Sequence, residues 1–79
     1  MSQANVTHWT SKGVFKIEAV ILGGSFFCEL WFGDRRLATY AYGITAAESI
    51  SRGDHDQALG FKASELGVPS LVKDWNNLA

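Results

Sequence analysis

The sequence predicts an α+β domain: a three- or four-stranded antiparallel meander with C-terminal helices packed on one face. Two patterns predict it, an alternation of side chains folded about Gly23-Gly24 and a change to helical spacing after residue 45. Length is the third observation. At 79 residues and 8.7 kDa, splitting the chain would leave neither half a core, so residues 1–79 make a single domain.

Residues 14–22 are rich in β-branched side chains and residues 25–32 in aromatics, and Gly23-Gly24 between them suits a tight hairpin turn. Pairing outward from that turn sets Ile21 opposite Phe26, Ala19 opposite Cys28, Ile17 opposite Leu30 and Phe15 opposite Phe32. All four pairs are apolar and share one face. The other face pairs Val20 with Phe27, Glu18 with Glu29 and Lys16 with Trp31. A slip of one residue would destroy this segregation, so the register is well specified.

Gly33-Asp34-Arg35-Arg36 reads as a four-residue turn into a third strand that completes a sheet over residues 14–42. With Phe32 opposite Leu37, the residues Leu37, Thr39 and Ala41 extend the apolar face, and Ala38, Tyr40 and Tyr42 join the other. Residues 1–13 form an N-terminal arm or a weak further strand. The expected core is Phe15, Ile17, Ile21, Phe26, Leu30 and Phe32. Truncating Phe26 to alanine is then expected to cost roughly 3–5 kcal/mol and unfold so small a domain.

Thr45-Ala46-Ala47-Glu48 has the pattern of a capping box and opens a helix over residues 45–66, which Gly53 either breaks or leaves whole. Residues 54–57 repeat the N-terminal signature, and Gly67-Val68-Pro69 stops the helical run. A short C-terminal helix over 70–78 sets Leu71, Val72, Trp75 and Leu78 at helical spacing. Gly60 has no role in this pattern.

Composition narrows the function. With 47% hydrophobic and 19% charged residues the chain is globular rather than disordered, and its apolar runs are too short to span a membrane. Seven Lys and Arg against eight Asp and Glu leave no basic excess, which disfavours a protein that lives on phosphate contacts. The lone Cys28 cannot form an internal disulfide, and the first residues carry no charged or apolar leader, so a cytoplasmic location is expected.

The sheet face away from the helices draws attention because it carries Phe27, Trp31, Tyr40 and Tyr42, edged by Glu18, Glu29 and Lys16. A solvated face normally shows Thr, Lys and Glu, whereas aromatics concentrate at the centres of protein interfaces. Either a partner covers this face, or the segment with Trp9 or the tail with Trp75 folds over it. Opposed Glu18 and Glu29 repel across the sheet, an arrangement that acid–base catalysis exploits, but so short a chain has little room for the cleft a hydrolase needs. Asp54-His55-Asp56 places a histidine between carboxylates. The acidic pair is explained by the helix start beside it, and the only other histidine, His8, is distant in sequence. Cys28 falls on the apolar face as a small hydrophobe. We therefore expect no catalytic residue, no metal ligand set and no cofactor.

The strand–strand–strand–helix order is shared by double-stranded-RNA-binding domains and HicB-type antitoxins. That likeness is one of layout. The first helix opens Ala46-Ala47-Glu48, without the basic start through which RNA-binding members grip phosphates, and no family is assigned. The expected function is a small non-enzymatic regulator or inhibitor that occupies a partner protein's surface, in the manner of a phage-type (anti-CRISPR-like) inhibitor or an antitoxin-like protein. Its contacts would be Phe27, Trp31, Tyr40, Tyr42, Glu18, Glu29, Asp54 and Asp56, the acidic ones suiting a basic, nucleic-acid-binding surface on the partner. A homodimer is a further option, because a second copy can cover a hydrophobic sheet face. The alternatives are a nucleic-acid-binding module that uses the sheet aromatics with Arg35 and Arg36, and a small hydrolase built on Glu18 and Glu29.

Overall fold

Residues 5–77 are described by a computed structural model, and the hairpin that the alternation predicts lies at its centre. Strand β2 (Gly13–Leu22) pairs with β3 (Ser25–Phe32) in the expected register, from Phe15 opposite Phe32 to Ile21 opposite Phe26. The weak N-terminal strand is real: β1 (Val6–Thr10) runs antiparallel to β2, with Val6 opposite Ile17. Strand β4 (Arg35–Tyr40) lies on the other side of β3. A two-residue strand, β5 (Asn76–Asn77), adds to the outer edge of β1, giving the order β4-β3-β2-β1-β5.

The expected register of β4 is corrected. Its turn is Gly33-Asp34 alone, so Phe32 meets Arg35 and Trp31 meets Arg36. A bulge then shifts the pairing, and Ala38 lies opposite Leu30, Thr39 opposite Glu29, and Tyr40 opposite Cys28. One extra residue reverses which face a strand's side chains take. Ala38 and Tyr40 therefore join the core face, and Thr39 moves to the open one. The strand stops at Tyr40, so Tyr42 is outside the sheet.

The helical part is shorter than its spacing predicts. Helix α1 (Gly43–Ser51) starts two residues before Thr45, with Tyr42 at its N-cap and no side-chain cap, so the capping box does not form. Gly53 does end it: Gly53 N–H donates to the Ile50 carbonyl and Asp54 N–H to that of Ser49, the paired bonds of a Schellman motif. Helix α2 (Asp56–Leu59) lasts a single turn because Gly60, at φ +82°, leaves the right-handed region. In place of a helix to residue 66 there is a 3₁₀ turn at Ala63–Glu65. In place of a C-terminal helix there is a 3₁₀ turn at Val72–Asp74, after which Trp75 is extended. Leu78 lies outside the described residues.

Ala46, Ala47 and Ile50 of α1 are buried with Val6, Phe15, Ile17, Cys28 and Leu30 of the sheet, and Ala63, Val68 and Trp75 complete the core. No helix among the described residues is long and apolar enough to cross a membrane. The Phe32 ring lies 4.8 Å from Phe15 and 5.4 Å from Phe61. It also presses on Gly13, where a Cβ would come within 2.8 Å of its Cζ and the backbone holds φ +142°. Gly13→Ala is expected to lower stability by about 1–3 kcal/mol, read as a shift in urea midpoint at constant slope.

Two expected core residues are not in the core. Ile21 and Phe26 are 64% and 65% exposed, because the hairpin runs past the helices that cover its base.

Candidate functional site

Three groups of side chains carry the chemistry of this domain: the open sheet face, a buried polar knot, and the far end of the hairpin. On the open face, the registers align four rows across the strands. Trp9 stands opposite Val14, and Thr7, Lys16, Trp31 and Arg36 follow in line. Next come Glu18, Glu29 and Thr39, and then Val20 with Phe27. Opposition of Glu18 and Glu29 is thus as expected, but a different cation holds each. Arg36 Nη1 donates to Glu29 Oε2 at 3.1 Å, and Lys16 Nζ lies 3.9 Å from Glu18 Oε2. Lys16 also sits 5.3 Å from the centroid of Trp31, a cation–π contact that occupies one face of the indole. Trp31 Nε1 is buried with no hydrogen-bond partner among the described residues.

Neither of the chain segments expected to fold over this face does so. Trp9 belongs to the face and is 70% exposed. Trp75 packs on the opposite side, its ring centroid 5.9 Å from that of His8, with Nε1–H donating to the Pro69 carbonyl at 2.9 Å.

Tyr40 is the clearest correction among the expected contact residues. The β4 bulge turns it under the helical layer, where its hydroxyl lies 2.8 Å from His55 Nε2. The same nitrogen lies 3.1 Å from Ser49 Oγ. Ser49 is fully buried and donates its hydroxyl proton to the Ala46 carbonyl at 2.7 Å, so toward His55 it is an acceptor. A serine–histidine contact of this length resembles a nucleophile and its base, but this one is sealed in the core and ties β4 and α1 to the turn before α2. The flanking carboxylates face elsewhere. Asp54 accepts from Arg52 at 2.9 Å, and Asp56 accepts from the Ser64 amide and hydroxyl.

Burial pushes the pKa of His55 down from its ordinary value, with Asp54 and Asp56 opposing the shift. The unfolded chain thus takes up this proton at a higher pH than the folded one. The stabilising contribution is complete above about pH 6.5 and is lost as pH falls through the lower folded value. Thermal unfolding is expected at a lower temperature at pH 5.5 than at pH 7.5, and His55→Gln should flatten that difference. Burial likewise pushes the Cys28 thiol up, as a core cysteine requires.

The third group is one that the sequence reading did not single out. Of the seven strongly exposed large hydrophobic residues among those described, six lie at one end: Ile21, Leu22, Phe26, Tyr42, Ile44 and Leu71, at 42–69% exposure. The seventh, Trp9, lies elsewhere. Among the described residues β1 pairs only as far as Ile17, with Asn5 Oδ1 accepting from the Ala19 amide just beyond, and β4 only as far as Cys28, so past these points β2 and β3 continue as a two-stranded arm. One hollow of about 250 Å³ lies beside it, lined by Phe26, Phe27, Cys28, Ala41, Tyr42 and Gly43. A second, of about 350 Å³, is lined by Gly43, Ile44, Leu71, Val72 and Lys73. Gly43 borders both, so the arm and the hollows form one continuous surface on which the large exposed side chains are apolar. Phe27 and Tyr42, expected on the sheet face with Trp31, both line the first hollow. Between residues 19 and 28 there is no charged side chain. No family model matches the chain, and none of the curated proteins or solved structures compared with it matches either.

Proposed function

We propose that this protein is a non-enzymatic protein-binding regulator that docks on a partner protein through its apolar end. The observation that carries the reading is the gathering of six exposed large hydrophobic residues on the arm and the hollows beside it. Monomeric domains seldom leave so much contiguous apolar surface uncovered, and aromatic side chains that project from a surface are the usual anchors of an interface. A partner of matching chemistry offers an uncharged apolar groove for Ile21 and Phe26, because no charge on the arm could answer one on the partner. So small a domain acts by covering: as an inhibitor or an antitoxin-like regulator it would block whatever surface of the partner it occupies. Nucleic-acid binding has less support, since Lys16 already occupies one face of the Trp31 indole and Arg36 is engaged by Glu29.

The test compares proteins captured from a lysate by the wild-type chain and by Ile21→Glu/Phe26→Glu, followed by titration of any captured protein in purified form. Both positions are more than half exposed, so the variant should keep its unfolding temperature. We expect binding to fall at least about 100-fold, because each glutamate would be buried without a counter-charge. A captured protein that binds the variant as tightly as the wild type removes the arm from the interface.

A further inference from the structure

The open sheet face is its own complement. Its four transverse rows read, along the strands, apolar (Trp9, Val14), basic (Lys16 and Arg36 flanking Trp31), acidic (Glu18, Glu29) and apolar again (Val20, Phe27). A two-fold axis lying in the plane of this face, across the strands and between the basic and acidic rows, exchanges the rows in pairs. Along β2 it sets basic over acidic and apolar over apolar. We propose that a second copy of this chain covers the open face in this way, making a symmetric dimer of two sheets packed face to face with the helices outermost.

The axis passes level with Ile17 of β2 and Leu30 of β3, whose own side chains point into the core on the other side. Lys16 of one copy then lies over Glu18 of the other, and Trp31 over Glu29. Further along β2, Val14 meets Val20. Sheets packed in this manner sit about 10 Å apart with strands about 30° from alignment, a distance that long side chains span. Glu18 gains a second cation beyond the Lys16 of its own chain, which is what a charge losing water at an interface requires, whereas Glu29 is already buried beside Arg36. Displacing the second copy by one row, two residues along the strands, would set basic against basic or acidic against acidic, so the charges also fix the register. The contact is isologous and closes after two copies. It leaves the other side of both arms, with Ile21 and Phe26, uncovered at opposite ends of the dimer, so docking through those two residues remains open to a partner.

Sedimentation equilibrium of the full chain, from low micromolar to near-millimolar protein, tests the arrangement. The wild type is expected to reach the mass of a dimer. Lys16→Glu sets like charges against each other and is expected to weaken the dimer by about 100-fold or more, with its circular dichroism unchanged. The swap Lys16→Glu/Glu18→Lys exchanges the signs on β2 and should restore most of the association. A wild type that stays monomeric at the highest concentration overturns the proposal, as does a dimer indifferent to Lys16→Glu. A dimer that dissociates in Ile21→Glu/Phe26→Glu but not in Lys16→Glu places the second copy on the arm and overturns it equally.

Discussion

Phe15→Ala is expected to destabilise the domain by about 3–5 kcal/mol, whereas the same truncation at Phe26 should cost less than about 1 kcal/mol. Both phenylalanines lie on the same face of the same hairpin, so the contrast isolates burial from strand pairing. Phe15 is fully buried and packs against Phe32 at 4.8 Å, and its removal opens a cavity between the sheet and α1 that rigid neighbours cannot fill. Phe26 stands in solvent on the arm. Domains of this size hold roughly 4–12 kcal/mol in all, so the first change should leave a large unfolded fraction on modest warming. Paired urea titrations of the two variants check the contrast, and equal losses would mean that the arm is covered from within the chain.

Trp75→Ala is expected to have an effect of similar size, about 3–5 kcal/mol, with a distinct local signature. The indole is 4% exposed, and its N–H holds the Pro69 carbonyl. The strand it leads into pairs with β1 at only two positions, Val6 with Asn77 and Thr7 with Asn76. Two pairs do not hold a strand on their own, so losing the anchor should release the edge of β1. Hydrogen exchange is expected to speed up at Thr7 and the Val72–Asp74 turn while the β2–β3 amides keep their protection. Trp75→Phe, which keeps most of the packing and loses the hydrogen bond, should cost about 1 kcal/mol more than its lost area implies.

These expectations also show how much of the fold was legible in the chain. The β2–β3 register was, because Gly23-Gly24 fixes its origin and every pair from Ile21–Phe26 to Phe15–Phe32 agrees on which side is apolar. The face taken by β4 was not. A bulge is one residue without a composition of its own, and both parities of 37–42 place apolar residues on either face, so nothing local marked Tyr40 as a core residue. His55 was hidden for the same reason, since its partner reaches it only after that shift. The helical run over 45–66 stops short at glycine: Gly60 stands inside an acceptable amphipathic pattern, and its left-handed backbone ends α2 all the same. The apolar arm did leave a trace, in that a hairpin of such length flanked by shorter strands must overhang them. The alternation shows which face Ile21 and Phe26 occupy, and face does not say how far the covering layer extends.

The order of the strands bears on how the chain reaches its native state. β1, β2, β3 and β4 each pair with a neighbour in sequence, across loops of two residues, whereas β5 must find a partner some seventy positions away. Short loops close at little entropic expense and long ones at more, so assembly spreads from the middle of the chain outward and the tail zips on last. The meander can therefore close strand by strand on its own short loops, while the residue that locks its edge is the last to find its place.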